Sequence, residues 1–466
     1  MRLNNVQRNA GYRDEYIYNI KTGKFYLRAQ GDNYKEVTLP GNPDLPTGGG
    51  DGGDGGDNGG ASYAPISLPV GMNIPIPFTI ETDGTSYRVV DFDIEARANI
   101  TTTQTVYVDS VAGNDGFNGE SEALPFKTMT AAYNSGADCI YVKKGSYFHK
   151  NQRVNPPSRS LKVIAYGTGD NPVISASTGN QLGTFNKTGN TYLATAGDYV
   201  GKVFDKGVLD ANGQPSYYEM VSDAATVDTT PGSFVWVNGE GLYIRTLDDR
   251  APDSNLLYFD NLAHRMRADN ATQYYENIEF NSSAYFMNSS ATGNSKSYFS
   301  GCSLKYGGLQ VHGQEESIWQ DCDLNSGWGD VMNIDDRSGI AANVYEINCN
   351  MTNWYRGDTT SQGSTLHAAS NAVSVNGTYT KTAGQGIGDT GTGQRYILGC
   401  TMGDTTGGVS FVTQANAFIE NAEMIVDAIS IRVSSTGVVR TYNNTLAGDI
   451  DIEAGGDYNV IEYVGG

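Results

Sequence analysis

A short pattern of apolar and polar positions recurs through the C-terminal half of the chain. In each copy a polar residue or glycine precedes the first position, which holds a small residue or, in one copy, isoleucine, and a larger apolar residue follows two positions later. Successive copies are 24, 20, 27, 51, 22 and 22 residues apart. A period in the low twenties is typical of a β-solenoid, because turns of this length bury their apolar residues only by stacking. The seven copies are Ile278/Phe280, Cys302/Leu304, Cys322/Leu324, Cys349/Met351, Cys400/Met402, Ala422/Met424 and Asn444/Leu446.

Cysteine takes the first of these positions in four copies. A free cysteine behaves as a small buried hydrophobe, so we expect Cys302, Cys322, Cys349 and Cys400 to line the interior of the solenoid. Neither a disulfide framework nor a metal site is expected from them. The interval between Cys349 and Cys400 is about double and leaves two alternatives, one turn that carries two long loops or two complete turns.

A second pattern alternates apolar with mostly polar residues, at the period of two that is typical of a half-buried strand. Its segments are residues 309–312, 332–335, 373–376, 409–412, 429–432 and 450–453. Two strands per turn in a constant order predict an all-β fold, a parallel β-helix. Outward side chains should then stack in two rows. One predicted row is His312, Asp335, Asn376, Val412, Arg432 and Glu453, and the other is Gln310, Asn333, Ser374, Ser410, Ser430 and Asp451.

Composition and charge exclude some classes of binding partner. The chain has 466 residues, 58 of them glycine and 30 tyrosine, and a net charge of −21. Such a charge argues against nucleic-acid binding, which needs a basic surface. We expect no membrane insertion because no apolar run approaches 18 residues, and no secretory signal because residues 1–8 lack an apolar core. Synthesis and folding in a cytoplasm are therefore expected, and no cofactor is implied.

The N-terminal part of the chain differs from the rest. Residues 1–45 are predicted to be a small β anchor, with two short strands around Thr22-Gly23. Residues 46–60 are rich in glycine and aspartate, which indicates a flexible linker, because the apolar residue at every ninth position that a calcium-binding β-roll needs is missing. Residues 61–104 are predicted to be a small β connector, and residues 105–466 to be the body of the β-helix.

Several segments of the body resemble a known family. Residues 106–109, 113–119, 124–129, 139–147 and 163–174 look like the opening of pectate-lyase-like right-handed parallel β-helix proteins. Residues 231–234 and 241–245 resemble a β excursion that many of these proteins carry early in the helix, here about 185–262. The resemblance implies a right-handed, single-stranded parallel β-helix. It implies little about chemistry, because this fold hosts lyases, hydrolases and binding proteins.

The layout as a whole resembles a bacteriophage tailspike or tail fibre. That resemblance implies that residues 1–45 bind phage tail or virion proteins, and that a homotrimeric body recognises a polysaccharide on the host cell surface. The protein would then reside on the virion as a tail appendage assembled in the host cytoplasm. Two alternatives stay open. The body could be a polysaccharide depolymerase, either a glycoside hydrolase or a lyase, or the chain could be a structural decoration fibre.

Catalytic candidates are carboxylates on the outward rows. Glycosidic cleavage uses two carboxyl groups, about 5–5.5 Å apart for retention and about 6.5–9.5 Å apart for inversion. Asp330, Asp335 and Asp336 are our candidates, although Asp residues at turn corners also cap loops by local hydrogen bonds. For a lyase, His312 is the candidate base. The groups available as the base or as the cation that neutralises a uronate are His312, Lys305, Arg337, Arg356 and His367.

Aromatic side chains near the same segments predict a carbohydrate-binding surface. Tryptophan and tyrosine combine an apolar ring with a polar tip, which suits stacking on a sugar. Long loops on a rigid scaffold often carry binding residues, and the double interval holds such a stretch. Packing in a trimer interface is the alternative. The predicted carbohydrate-binding residues are Trp328, Arg337, Trp354, Tyr355 and Arg356.

Overall fold

The structure is a computed structural model. It describes three short strands before residue 40 and residues 62–69, 71–152, 155–177, 184–195, 199–260, 264–267, 270–281, 284–287, 294–327, 329–336, 339–357, 359–434, 437–453 and 456–460. Trp328, Arg337 and the predicted linker lie outside the described residues. The N-terminal strands pair antiparallel as one sheet. They are β1 (Tyr16–Asn19), β2 (Lys24–Arg28) and β3 (Tyr34–Val37).

The body is a solenoid of three parallel sheets, and from His264 onward successive strands along the chain enter the three sheets in turn. Sheet I consists of β7 (Thr105–Val108), β8 (Cys139–Lys143), β10 (Leu161–Tyr166), β21 (Thr272–Glu276), β24 (Lys296–Ser300), β27 (Glu316–Gln320), β30 (Asn343–Ile347), β33 (Asn371–Val375), β36 (Gln394–Leu398), β39 (Asn416–Glu420), β42 (Val438–Tyr442) and β45 (Asp457–Val460).

Sheet II consists of β9 (Tyr147–Phe148), β11 (Val173–Ser175), β22 (Glu279–Asn281), β25 (Ser303–Lys305), β28 (Asp323–Asn325), β31 (Asn350–Thr352), β34 (Thr378–Thr380), β37 (Thr401–Gly403), β40 (Glu423–Ile425) and β43 (Thr445–Leu446). Sheet III consists of β20 (His264–Arg267), β23 (Ala284–Met287), β26 (Leu309–His312), β29 (Met332–Asp335), β32 (Ser364–Leu366), β35 (Gln385–Asp389), β38 (Val409–Thr413), β41 (Ile429–Val433) and β44 (Asp449–Ile452).

Each full turn has three strands, so the prediction of two strands per turn is wrong. The first repeated pattern spans two strands, one of sheet I and one of sheet II, which meet at a sharp bend. At the bend one residue adopts the left-handed conformation, which glycine, asparagine and aspartate tolerate best. This requirement explains the polar residue or glycine before most of the pattern's small residues. The bend residues are Asn277, Gly301, Asp321, Asn348, Asn376, Gly399, Asn421 and Asn443, with φ between 48° and 59°.

The double interval holds two complete turns, β30–β32 and β33–β35. The second turn has Gly377 where the others have a small side chain, and its backbone N–H lies 3.3 Å from Sγ of Cys400. Tyr379 takes the apolar position between Met351 and Met402. A Cβ atom at Gly377 would come within 2.6 Å of the Tyr379 ring, so the large ring excludes a cysteine here.

Because the double interval holds a second turn, the predicted rows of outward side chains are wrong in part. Residues 373–376 lie in and just after β33 of sheet I, so Asn376 and Ser374 belong to neither row of sheet III. Arg432 pairs with Asp451 rather than Glu453. The observed outward row is Gln310, Asn333, Thr365, Gly388, Val412, Arg432 and Asp451. The predicted neighbours His312 and Asp335 do pair, in the adjacent row.

The interior confirms the predicted cysteine positions. Cys302, Cys322, Cys349 and Cys400 are buried and free of disulfides, as is Cys139. In the middle turns the large interior side chains stack as well. The ring centroids of Tyr275 and Phe299 are 5.2 Å apart, and those of Phe299 and Trp319 are 3.7 Å apart. Like residues thus lie above like residues, which is how a solenoid buries a continuous core.

Residues 62–104 form a strap across the outer face of sheet I. They contain an antiparallel sheet of β4 (Ala64–Pro65), β5 (Thr79–Thr82) and β6 (Tyr87–Val90), followed by helix α1 (Ile94–Ala98). Strap side chains such as Ile74 and Ile80 form a second apolar core with outward residues of sheet I. Those sheet residues are Tyr274, Tyr298, Ile318, Tyr345, Ile347, Val373, Val375, Tyr396, Leu398 and Phe418.

An excursion leaves the solenoid between β11 and β20. One sheet holds β12 (Phe185–Thr188), β13 (Thr191–Ala194), β16 (Glu219–Met220), β17 (Ser233–Val237) and β18 (Gly241–Arg245), and the other holds β14 (Lys202–Leu209), β15 (Pro215–Tyr217) and β19 (Leu256–Phe259). Phe204 of the excursion packs on Tyr306 at the corner between sheets II and III, with ring centroids 4.9 Å apart. The remaining helices are α2 (Met129–Asn134), α3 (Ala224–Thr229) and a 3-10 helix (Lys150–Gln152), and none of the described helices is long and apolar enough to span a membrane.

Candidate functional site

Polar side chains cover the outer face of sheet III. Along β26 and β29 the inward residues are apolar and buried, while the outward ones are polar and half-buried. His312 and Asp335 are register partners on adjacent turns, which places their backbones about 4.8 Å apart. Asp335 Oδ1 accepts a 2.8 Å hydrogen bond from the backbone N–H of Asp336. The structure therefore brings three of the four catalytic candidates together at the end of β29.

Asp330, the fourth candidate, organises a loop. Its Oδ1 accepts a 2.8 Å hydrogen bond from the backbone N–H of Gln362, one turn further along. The side chain of Gln362 accepts a hydrogen bond from Thr365 and donates one to Gln385, each 2.7 Å long. It lies over Gly388, where a Cβ atom would come within 2.8 Å of Gln362 Cγ. The chain thus has a tightly fixed amide network on this face.

The corner loop (353–357 and 359–362) joins β31 to β32. Trp354 and Tyr355 in this loop have φ of 55° and 60°, a left-handed conformation that costs a residue with a side chain about 1–3 kcal/mol. The Tyr355 hydroxyl donates a 2.7 Å hydrogen bond to Asp404 Oδ2. Asn353 is fully buried and joins the neighbouring turns, donating to Gly329 O and accepting from Ala383 N. These bonds hold both aromatic residues in place.

Arg356 braces the corner loop against the excursion. Its Nη2 donates to Oδ2 of Asp210 and to the carbonyl oxygen of Pro215, both at 2.6 Å. The guanidinium carbon also lies 5.5 Å from the ring centroid of Trp354. The predicted carbohydrate-binding residues Trp354 and Tyr355 are thus half-buried neighbours in one rigid loop, and Arg356 is 12% exposed behind them.

Sequence reasoning missed the polar partners of this site. Gln362, Thr365 and Gln385 belong to the two turns within the double interval, so the predicted rows do not include them. The alternation of glycine with other residues at 385–388 was a usable signal, because glycine permits close approach of the neighbouring turn of the solenoid. On the outer face Thr390 also contacts His367, with Oγ1 2.7 Å from Nδ1.

A buried charged cluster lies inside the solenoid beneath β32 and β35. Glu346, Asp389 and Arg395 are fully buried. Arg395 Nε lies 2.8 Å from Asp389 Oδ1, and Arg395 Nη1 lies 3.6 Å from Glu346 Oε2. Burial raises the pKa of Asp389 to about 6, although the guanidinium acts in the opposite direction. Glu346 also accepts hydrogen bonds from Ser364, Ser374 and Tyr379.

The residues that the structure describes contain no group of three or more His, Cys, Asp or Glu side chains placed to hold an ion. The carboxylates of the outer face instead accept hydrogen bonds from protein groups. This arrangement suits the binding of a ligand rich in hydroxyl groups, because carboxylates accept hydrogen bonds and amides both accept and donate them.

No family model matches the chain, and no curated protein matches it. Among solved structures it is similar to pectate lyase Pel9A, with 11% identity and a TM-score of 0.34 over 78% of this chain and 80% of that one. It is also similar to tailspike protein 3 of bacteriophage CBA120, with 11% identity and a TM-score of 0.31 over 84% and 63% of the two chains. The A-module of the mannuronan C-5 epimerase AlgE4 from Azotobacter vinelandii gives 11% identity and a TM-score of 0.29 over 72% and 94%.

Likenesses at these TM-scores say nothing about activity, and the fold assignment rests on the strand pairing described above. That pairing confirms what the sequence resemblance to pectate-lyase-like and tailspike proteins implied about architecture. The chain is a right-handed parallel β-helix of about 12 turns.

Proposed function

We propose that this chain is a receptor-binding spike of a bacteriophage tail and that it binds a host surface polysaccharide. The binding surface is the outer face of sheet III together with the corner loop. The observation that carries the proposal is the left-handed conformation of two successive aromatic residues, Trp354 and Tyr355. Strain of this kind persists only where surrounding contacts enforce it, and it concentrates at functional sites.

The polar row beside the loop extends the surface along the helix axis. Gln310 and Asn333 lie half-buried on consecutive turns, about 4.8 Å apart. Hydrogen-bonding groups at such a regular spacing suit an extended polymer better than a compact small molecule. Trp354 and Tyr355 supply aromatic rings of the type that stacks on sugars.

Binding to purified polysaccharide from the host surface tests the proposal. We expect Trp354→Ala to weaken binding at least tenfold, because it removes the ring while leaving the solenoid intact. Trp236→Ala is the matched control, since Trp236 is a half-buried tryptophan in the excursion. Equal affinity of both variants and the parent protein would contradict the assignment of the corner loop.

The role of residues 1–45 is a separate part of the proposal. We propose that they attach the spike to the virion, and that the body is a homotrimer. A chain without residues 1–45 should remain folded and bind polysaccharide, but should no longer join particles. Incorporation of the shortened chain at the normal level would exclude an anchoring role, and a monomer in analytical ultracentrifugation would exclude the trimer.

Cleavage of the bound polymer is the second candidate function. The adjacency of His312 and Asp335 favours it, because a base and a carboxylate on neighbouring turns could share one substrate. Shortening of the polymer that Asp335→Asn abolishes would establish a depolymerase. Absorbance at about 235 nm, where an unsaturated uronate absorbs, would identify a lyase through its proton abstraction. Binding without shortening would leave a receptor-binding spike, and neither binding nor shortening would leave a structural decoration fibre.

A further inference from the structure

The corner between sheets II and III holds left-handed residues on six successive turns. From β25 to β40, one or two of the first three residues after each strand of sheet II have φ between 54° and 72°. The backbone therefore makes the same demand at this corner as at the bend between sheets I and II. The left-handed residues of the corner are Tyr306, Gly327, Trp354, Tyr355, Lys381, Asp404 and Val426.

The two bends meet this demand with different residue types. From Asn277 to Asn443, the bend between sheets I and II uses asparagine, aspartate and glycine, which tolerate the left-handed conformation best. The corner between sheets II and III has tyrosine, tryptophan, lysine or valine at five of its seven positions. Val426 is the extreme case, since a β-branched residue is an outlier in this region. Large side chains kept in strained positions indicate a function for those side chains.

Contacts within the protein account for part of the corner. The ring of Tyr306 packs on Phe204 of the excursion, and the hydroxyl of Tyr355 is bonded to Asp404. Val426 differs, because 77% of it is exposed with φ of 67°. An apolar side chain that faces solvent gains little from burial, so the packing of the protein itself does not offset the strain at this residue.

Backbone hydrogen bonds place Val426 in line with the aromatic pair. The N–H of Tyr355 donates to the carbonyl oxygen of Lys381 at 2.7 Å, and the N–H of Lys381 donates to that of Asp404 at 3.0 Å. The N–H of Asp404 in turn donates to the carbonyl oxygen of Ile425 at 3.2 Å. Tyr355, Lys381, Asp404 and Val426 thus form a corner ladder on successive turns. Its ends are three turns apart, about 14 Å along the helix axis at about 4.8 Å per turn.

We propose that the bound polysaccharide follows the corner ladder and that Val426 is a binding residue at its far end. The inference rests on the proposed function and extends its binding surface by three turns from the aromatic pair. Exposed Lys381 donates hydrogen bonds to oxygen atoms of the polymer, and Val426 packs on the C–H groups of a sugar beyond it. The ligand is therefore an extended chain of several sugars.

Fragments of increasing length test the inference. A panel of purified bacterial surface polysaccharides is partly hydrolysed with acid, and Kd is measured for sized fragments of each polymer that binds the protein. We expect Val426→Gly to weaken the binding of long fragments at least fivefold. It should leave the Kd of fragments shorter than about 14 Å unchanged, because these do not span the ladder. Trp354→Ala should weaken binding at every length.

Stability separates an effect on binding from an effect on folding. Glycine adopts the left-handed conformation without strain, so Val426→Gly should unfold at the temperature of the parent protein or above it. Val111→Gly is the matched control, since Val111 is 83% exposed in the loop after β7, and it should change no affinity. Weaker binding by Val426→Gly together with a lower unfolding temperature would show that Val426 supports the fold, and would overturn the inference.

Other outcomes have distinct meanings. If Val426→Gly binds fragments of every length as the parent protein does while Trp354→Ala binds them more weakly, the inference fails and the proposed function stands. An equal loss at every length in Val426→Gly would likewise exclude a path along the ladder. Unchanged affinity with a smaller assembly in analytical ultracentrifugation would assign Val426 to an interface between copies of the chain. Failure of every polymer to bind would overturn the proposed function, and the inference with it.

Discussion

The hydroxyl of Tyr355 donates a 2.7 Å hydrogen bond to Asp404 Oδ2, two turns further along the solenoid. Burial, with this bond, raises the pKa of Tyr355 to about 12. The bond fixes the corner loop to the scaffold, so the strained aromatic pair is already ordered before any ligand arrives.

Removal of this bond should weaken binding without unfolding the body. We expect Tyr355→Phe to weaken polysaccharide binding about tenfold, because a hydrogen bond to a charged group contributes about 1.5–3 kcal/mol. Titration calorimetry measures the loss. Tyr243→Phe is the matched control, since Tyr243 donates to Glu240 in the excursion. Unchanged affinity in Tyr355→Phe would show that the loop is ordered by other contacts.

The buried cluster predicts a pH dependence of stability. The pKa of Asp389 is about 6 in the folded protein, against a reference value of 3.8. The folded state therefore binds this proton more tightly than the unfolded state, so the stabilisation is complete below about pH 3.8 and is lost as the pH rises through about 6. A shift of about two units corresponds to at most about 3 kcal/mol.

Denaturant unfolding between pH 4 and 8 measures this effect. Asp389→Asn should lack the decline in unfolding free energy across this range, because the amide does not titrate. Asp170→Asn, at an exposed position, should retain the decline of the parent protein. Parallel curves for all three proteins would assign the pH dependence to other groups.

Loss of the buried cation, Arg395, should strongly lower the free energy of unfolding. Arg395→Met leaves Glu346 and Asp389 in the core without a positive partner, and we expect a loss of about 3–5 kcal/mol in unfolding free energy. Adding Glu346→Gln and Asp389→Asn to this variant should recover most of the loss, because no buried charge then remains. If the triple variant is as unstable as Arg395→Met, the packing of Arg395 matters more than its charge.

The cysteines should be protected in the native protein. Burial raises the pKa of Cys302 and of Cys400 to about 12, so little reactive thiolate forms at neutral pH. We expect labelling with a thiol reagent to be at least about a hundredfold slower in the native protein than in denaturant. Cys322→Asp should prevent folding, since it places a charge in the core, while Cys322→Ala should fold. Rapid native labelling would contradict the interior ladder.

Docking of the strap can be tested at Ile74. This residue is 3% exposed against sheet I, and Ile74→Asp should release the strap and make it sensitive to protease. Ser67→Asp introduces the same charge at an exposed strap position and should leave the strap protected. Protection of the strap in Ile74→Asp would mean that its hydrogen bonds alone hold it.

The sequence predicted the repeat well because each turn imposes the same local demands. A bend residue in the left-handed conformation, a small interior residue and a larger apolar one recur at Cys302/Leu304 and its equivalents. The turn at Gly377 was not recognised because glycine takes the position of the small side chain there, and the large ring of Tyr379 takes the apolar position two residues later. The third strand of each turn was not predicted, because the bend between sheets I and II takes very few residues. In the sequence the two strands on either side of this bend therefore look like one strand.

Contacts between distant segments could not be predicted from spacing. Arg356 was a candidate for ligand binding because it follows two aromatic residues, but its partner Asp210 is 146 positions away in the excursion. The charged cluster escaped for the same reason, since Arg395 lies in an alternating strand where only the fold shows which face is interior. Roles that depend on a single side-chain pairing are therefore visible only in three dimensions.

The strap has a consequence for synthesis. The backbone N–H of Asn73 bonds to Gln394 Oε1 across 321 positions of sequence, and Ile74 lies in the same apolar core as Phe418. At about 5–20 residues per second, a ribosome needs roughly 20–70 s to make the chain between these contacts. The part of the strap around Ile74 thus emerges among the first segments of the body and meets these partners among the last, whereas helix α1 of the strap contacts the earlier strands β21 and β24. A chaperone would have time to bind this part, and a chain that stops before β36 would lack the portion of the surface that Gln394, Tyr396, Leu398 and Phe418 supply.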